Sequence, residues 1–319
     1  MRYLVTGGAG FLGSNLVDRL LAEGHEVDVI DDLSRGTLTN LAEARSSAEG
    51  ALKIHRHDIR SRDTIPLMER RAPEIVVHLA AQIDVRVSVN DPVLDAEINL
   101  IGLLNVLEGA RAANARKVVF ASSGGTIYGD VAAEALPIRE GQAQRPLSPY
   151  GISKKASTDY LSAYRELYEL DFTSLAFANI YGPRQDPHGE AGVVAIFAQL
   201  LLDGRQCTIY GDGSQTRDYV FVDDAVVAIV RSTDRGGGLL CNIGTGVETS
   251  VVQVHDAVAR AVGVTASPIF TNPRPGELPR SVLDPGRAAM QLGWQPFTPF
   301  DDGVAQTVDW FRQQRADPT

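Results

Sequence analysis

Tyr150 and Lys154 stand four positions apart in Tyr150-Gly151-Ile152-Ser153-Lys154, a spacing that puts both side chains on one face of a helix. A phenol with a pKa of about 10 is a poor base at neutral pH. An ammonium beside it favours the phenolate, and a further positive charge brought to the site does the same. The pair then becomes a general base for a hydroxyl proton. Tyr-x-x-x-Lys alone is common on surface helices, so the pair acquires meaning only from its context. That context is Gly7-Gly8-Ala9-Gly10-Phe11-Leu12-Gly13, which follows an apolar run and opens a helical pattern. Gly7 permits a tight turn, Gly10 lets backbone approach a pyrophosphate, and Gly13 lets helix and strand pack closely. The helix start at Phe11 and Leu12 then faces phosphate with free N–H groups and a partial positive charge.

Asp31 closes the next apolar strand, about 20 residues beyond the loop, where a carboxylate accepts hydrogen bonds from the adenosine ribose. It also repels a 2′-phosphate, so NAD is expected over NADP; Arg35, close by, is the one feature weighing the other way. Asp58-Ile59 ends a third strand and is placed to meet the adenine.

The elements that must position these groups alternate between strand and helix. Residues 2–6, 25–30, 52–57, 75–79 and 117–121 read as strands, the last two as near-continuous apolar runs typical of strands buried on both faces. Residues 11–23, 91–113 and 150–168 carry helical spacing. This alternation predicts an α/β fold with a doubly wound, mostly parallel (Rossmann) sheet. The second half is less regular. Residues 179–192 read as a functional loop; 208–210, 219–222 and 240–243 as short strands; 224–232, 251–262 and 301–312 as helices. Pro268, Pro273, Pro275 and Pro279 mark an extended segment. We expect a dinucleotide-binding domain over 1–177, rejoined by about 218–243, and a smaller, discontinuous α/β substrate domain over 178–319.

The chain has 319 residues and a net charge of −10, with 44% hydrophobic and 22% charged residues. Such an acidic balance argues against a nucleic-acid or membrane-surface binder. It leaves room for phosphorylated small ligands held by a few Arg residues and helix N-termini. Two cysteines and six histidines without metal-ligand spacing predict no metal site and no disulfide framework. No secretion signal and no membrane-spanning run are legible, so a cytoplasmic location is expected.

Thr6 to Gly13, Asp31, Leu79-Ala80-Ala81-Gln82, Asn99, Ser122-Ser123, Tyr150 with Lys154, and Asn179 together resemble the extended short-chain dehydrogenase/reductase family over essentially the whole chain. Within it the chain looks most like the UDP-glucose 4-epimerases. That resemblance implies a resident NAD that takes a hydride from sugar C4 and returns it to the other face of the ring. It implies cofactor contacts from Asp32, Leu33, Ser34 and Gly36, from Leu79, Ala80, Ala81, Gln82 and Asn99, and from Ser122 and Ala178. It also implies a homodimer through 91–113 and 150–168.

One departure matters. The resemblance implies a catalytic Ser or Thr at position 124, where this chain has Gly124 in Ser122-Ser123-Gly124-Gly125-Thr126-Ile127-Tyr128-Gly129. Thr126, or failing it Ser123, is expected to hydrogen-bond the sugar O4. Related 4,6-dehydratases carry an Asp-Glu pair at 125 and 126, and related UDP-glucuronate decarboxylases a Glu at 126. This chain has Gly125 and Thr126, and the lack of those carboxyls favours epimerisation.

On the substrate side, the resemblance gives Asn179, Arg217 and Arg274 to the diphosphate and Glu277 to a ribose. Val193 and Val194 open a helix that can meet phosphate. Ile209 and Tyr210 are expected to flank the uracil. Ser281 stands where some relatives have a bulky Tyr, which leaves room for an N-acetyl group. Arg86 can meet a phosphate or a C6 carboxylate, or pair with Asp84 or Asp91. A UDP-glucuronate 4-epimerase, a nucleotide-sugar reductase and a non-catalytic dinucleotide sensor remain alternatives; the sensor would need no Tyr–Lys pair.

Overall fold

Tyr3, Leu4 and Val5 are all buried, yet they face opposite ways. Tyr3 and Val5 join the apolar layer that includes Leu16, Val17 and Leu20. Leu4 joins a second layer with Leu103, Val106 and Leu107. Successive strand residues point to opposite faces, so a strand apolar at every position must be covered twice. The structure is a computed structural model and describes residues 1–188, 192–274, 276 and 278–316.

The first half supplies β1 (Arg2–Thr6), β2 (Glu26–Asp31), β3 (Leu52–Arg56), β4 (Ile75–His78), β5 (Lys117–Ser123) and β6 (Asp171–Phe177). The second half adds β7 (Asn179–Tyr181), β8 (Thr208–Tyr210), β9 (Thr216–Arg217), β10 (Tyr219–Phe221), β11 (Leu239–Ile243), β12 (Thr249–Ser250), β13 (Ile269–Thr271) and β14 (Arg280–Ser281). A seven-stranded sheet runs in the order β11-β6-β5-β4-β1-β2-β3, every pairing parallel. Strand order reverses between β1 and β4, and a crevice opens there at the carboxyl ends of the strands. The fold class is the expected doubly wound α/β sheet. The β11 strand returns from the second half to extend it.

Three small sheets complete the second half: β10 with β7, β9 between β12 and β14, and β13 with β8. Residues 179–192 were expected as loop throughout, but β7 forms at their start, its edge held by β10. The helical stretch expected over 91–113 is also not uniform. It runs as Pro92–Ala96, a π-helical turn over Glu97–Ile101, then Gly102–Ala112. No metal-binding group of His, Cys, Asp or Glu occurs among the described residues. None of their helices is long and apolar enough to cross a membrane.

Asp218 joins the small sheets to the large one. It is buried at 1% exposure and accepts from the Thr245 amide (2.8 Å) and hydroxyl (2.6 Å) and from the Gly246 and Leu283 amides (both 3.2 Å). Asp218→Ala leaves these donors unsatisfied. It is expected to cost about 3 kcal/mol, read as a lower urea midpoint at unchanged slope; an unshifted midpoint would contradict the role.

Candidate active site

The glycine loop leaves β1 and enters the helix Phe11–Ala22. A Cβ on Gly13 would lie 2.1 Å from the Gly7 carbonyl oxygen and 2.7 Å from Gly8 Cα. Only glycine allows this fold-back, which leaves the helix N-terminus open towards the crevice. Asp31 holds the loop from β2: its carboxylate accepts the Ala9 amide and the Leu33 amide, each at 2.9 Å. Burial pushes the Asp31 carboxyl above the usual range, and those two amides oppose the shift. Asp32 takes the Ser34 amide and hydroxyl and is exposed, as is Arg35. Gly36 lies against the Ala9 backbone. Asp58 is engaged by the Arg60 guanidinium and amide, which hold its carboxyl below the usual range. Ile59 beside it is buried in the second apolar layer.

Across the crevice, the Thr6 hydroxyl bonds His78 Nδ1 at 2.7 Å and accepts the Leu79 and Ala80 amides at 3.2 Å. Gln82 continues this loop. The Asn99 carboxamide grips it at both ends, accepting the Gln82 amide and donating to its carbonyl, each at 2.9 Å. Asn99 Nδ2 also donates to Asp95 Oδ1 at 3.0 Å. Both amide hydrogens of Asn99 are thus spent on protein, so any help it gives a cofactor runs through the Gln82 loop. The loop's other expected contact residue, Ala81, is half-buried beside it.

The helix Pro149–Tyr168 carries Tyr150 and Lys154. It starts with Ser148 as N-cap, whose hydroxyl accepts the Gly151 amide, and with Pro149 in the first turn. Both functional side chains are buried, at 9% and 4% exposure. Lys154 Nζ donates to the Ala121 carbonyl at 2.8 Å and lies 4.8 Å from the Phe120 ring centroid and 5.7 Å from that of Tyr150. Burial pushes the Lys154 ammonium down to about 8, and the charge of Asp95 resists. Burial pushes the Tyr150 phenol up to about 12; a hydrogen bond with the Ser123 hydroxyl lowers it and the charge of Asp95 raises it. In the protein alone burial is the dominant influence on the phenol. His78 is buried beneath, neutral, and held down at about 3 by burial and by Lys154.

The two candidate hydroxyls are placed differently. Ser123, at the end of β5, bonds Tyr150. Thr126 lies in the helical turn Gly124–Ile127, with its hydroxyl on the Ser123 carbonyl at 3.5 Å. A Cβ on Gly124 would stand 2.4 Å from Leu283 Cδ1, so a side chain there would have to displace the end of Leu283. Ser122 points elsewhere, its buried hydroxyl without a hydrogen-bond partner among the described residues. That orphaned group and the glycine fold-back are features a bound dinucleotide would complete. Ala178, whose amide bonds the Ile243 carbonyl, lies just past the end of β6.

The residues expected on the substrate side are spread over several elements. Asn179 is exposed, its Oδ1 4.0 Å from where a Gly125 Cβ would stand. Arg217 on β9 pairs in register with Thr249 and with Ser281. The Arg274 guanidinium stacks 3.9 Å above the Tyr210 ring. Ile209 does not share that face. It is fully buried in the core, because strand alternation turns it inward where Tyr210 turns out. Val194 is likewise buried and Val193 half-buried, so their helix start offers backbone N–H groups rather than side chains. Arg86 is exposed in the helix Val85–Asn90, its amide capped by Asp84. Glu277 lies outside the described residues. Asp95 and His78 were missed as site-builders, and Thr6 was read only as the start of the glycine loop; Asp95 and Asn99 stand four apart.

Gly13→Ala must open the loop to relieve the 2.1 Å approach. It is expected to weaken dinucleotide binding at least about 10-fold, a loss of about 1.4 kcal/mol. Fluorescence titration checks this; unchanged affinity would remove the loop from the site.

A family model described as GDP-mannose 4,6 dehydratase matches residues 4–307. A UDP-glucose 4-epimerase of Mycolicibacterium smegmatis is 52% identical over 98% of this chain and 99% of its own length. The crystal structure of a UDP-glucose 4-epimerase from Thermotoga maritima with UDP-glucose is 41% identical, covers 99% of this chain and 100% of that one, and superposes with a TM-score of 0.93. That of a Thermus thermophilus UDP-glucose 4-epimerase complex with NAD is 45% identical, covers 98% and 99%, and has a TM-score of 0.90. With a parallel sheet, a glycine loop at its switch point and a buried Tyr–Lys pair beside it, the chain belongs to the GDP-mannose 4,6 dehydratase family of extended short-chain dehydrogenases/reductases.

Proposed function

We propose that the protein is an NAD-dependent UDP-sugar 4-epimerase. The observation that carries this reading is the buried Tyr150–Ser123 pair backed by Lys154 at the switch-point crevice, with Gly125 and Thr126 where an elimination would need carboxyl groups. Likeness to UDP-glucose 4-epimerases over nearly the whole chain supports it.

Bound NAD would supply a hydride acceptor facing sugar C4 and a positive ring beside the phenol. Tyr150 takes the O4 proton as the C4 hydride leaves and returns it when the hydride comes back to the other face. Ser123 hydrogen-bonds both the phenol and O4 and so sets their distance. Lys154 stays charged beneath them and offsets the phenolate. Asp31 receives the adenosine ribose. Arg217 and Arg274 hold the diphosphate, Arg being suited by its planar fork, and Tyr210 takes the base. Ser281, small and next to Arg217, leaves the sugar pocket wide. Residues 178–319, apart from the stretch 218–243 whose last strand, β11, returns to the main sheet, form the sugar-binding part.

Val89, Val93 and Ile101 near one long helix and Ile152, Tyr160 and Leu167 on the other are exposed and apolar. A homodimer through these helices would cover them.

Incubation with UDP-glucose, UDP-N-acetylglucosamine and UDP-glucuronate, without added cofactor, tests the reading. UDP-galactose should form from UDP-glucose, with no net absorbance change at 340 nm; stoichiometric NADH consumption or no turnover of any sugar would overturn it. Ser123→Ala should lower kcat about 100-fold, whereas Thr126→Val should leave it within about 3-fold. A larger loss in Thr126→Val than in Ser123→Ala would return the role to Thr126. Light scattering should give twice the chain mass; a monomer would remove the dimer.

A further inference from the structure

Asp95 has no exposed surface at all. Its Oδ2 accepts the Ser153 hydroxyl at 2.6 Å, and its Oδ1 accepts Gln82 Nε2 and Asn99 Nδ2, both at 3.0 Å. One carboxylate thereby ties three pieces of the site: the helix bearing Tyr150 and Lys154, the loop after β4, and the π-helical turn. Taking a carboxylate out of water costs several kcal/mol, and neutral donors recover only part of that. A π-helical turn inserted at this place in a helix is a frequent mark of a functional site.

Lys154 is the matching buried cation. The Ala121 carbonyl on β5 and the Tyr150 ring on its own helix lie against it, and the charged or titratable groups whose fields reach it are His78 on β4 and Asp95 on Pro92–Ala96. His78 is neutral, so Asp95 is the negative charge among them.

We infer that Asp95 is a positioning residue: it locks the Tyr150 helix to the Gln82 loop and supplies the negative charge that offsets the buried Lys154 ammonium. It touches neither sugar nor cofactor and acts through Ser153, Gln82, Asn99 and Lys154. The consequence for turnover rests on the epimerase reading; the charge coupling does not.

Two readouts test it. In the pH profile of kcat, the alkaline limb reports loss of the Lys154 proton. Asp95→Asn should move that limb to lower pH by about one unit, because the charge holding the proton is gone. Ser153→Ala, which removes one hydrogen bond and keeps the charge, should leave the limb in place. A limb unmoved by Asp95→Asn would overturn the proposal. The second readout is thermal unfolding of Asp95→Asn, Lys154→Met and the double variant. Asp95→Asn should lower Tm in the wild-type background and raise it in the Lys154→Met background, where the carboxylate has lost its partner. Equal shifts in both backgrounds would overturn the proposal. This cycle needs no activity and still reads against Lys154→Met if Asp95→Asn alone fails to fold. An inactive protein with intact coupling would sink the epimerase reading only, and an active one without coupling would sink this proposal only.

Discussion

The site depends on keeping the Lys154 ammonium out of water. A buried cation is costly unless its hydrogens and charge are met. Here the Ala121 carbonyl takes one hydrogen and the Phe120 ring lies alongside. The same burial that lowers Lys154 to about 8 raises Tyr150 to about 12. The protein alone thus holds a protonated phenol beside a charged but weakened ammonium. A positive ring brought to the crevice would tip that balance towards phenolate, so on this reading proton transfer waits for both cofactor and sugar.

The parallel sheet makes such burial workable. Its strands are covered on both faces, so groups at their carboxyl ends sit at the rim of a dry core. Thr6 ends β1 and His78 ends β4, and their hydrogen bond pins the two strand ends that flank the switch point. Asp31 works in two directions. Its carboxylate organises the glycine loop through the Ala9 and Leu33 amides, and its charge disfavours a 2′-phosphate on the ribose.

Much of this was legible because it is local. The glycine loop, the acid at the end of β2 and the Tyr–Lys spacing each depend on one turn or one helix face. What was not legible depends on how elements meet. Ser123 and Thr126 are three residues apart, and only the turn from β5 into Gly124–Ile127 decides which hydroxyl reaches Tyr150. Asn99 was noticed through the family resemblance but Asp95 was not, because its role arises only where three separate elements meet its carboxylate. The β7 strand lies in a Pro- and Gly-rich stretch and exists only because β10 pairs with it. Ile209 could have been placed by simple alternation: period two turns it into the core beside an outward Tyr210.

The central claim is that one hydride leaves C4 and returns to C4 without leaving the site. UDP-glucose labelled with deuterium at C4 measures this directly. The account predicts that UDP-galactose formed in ordinary water keeps the deuterium at C4 over many turnovers. Deuterium lost to solvent, or found in released cofactor, would contradict it.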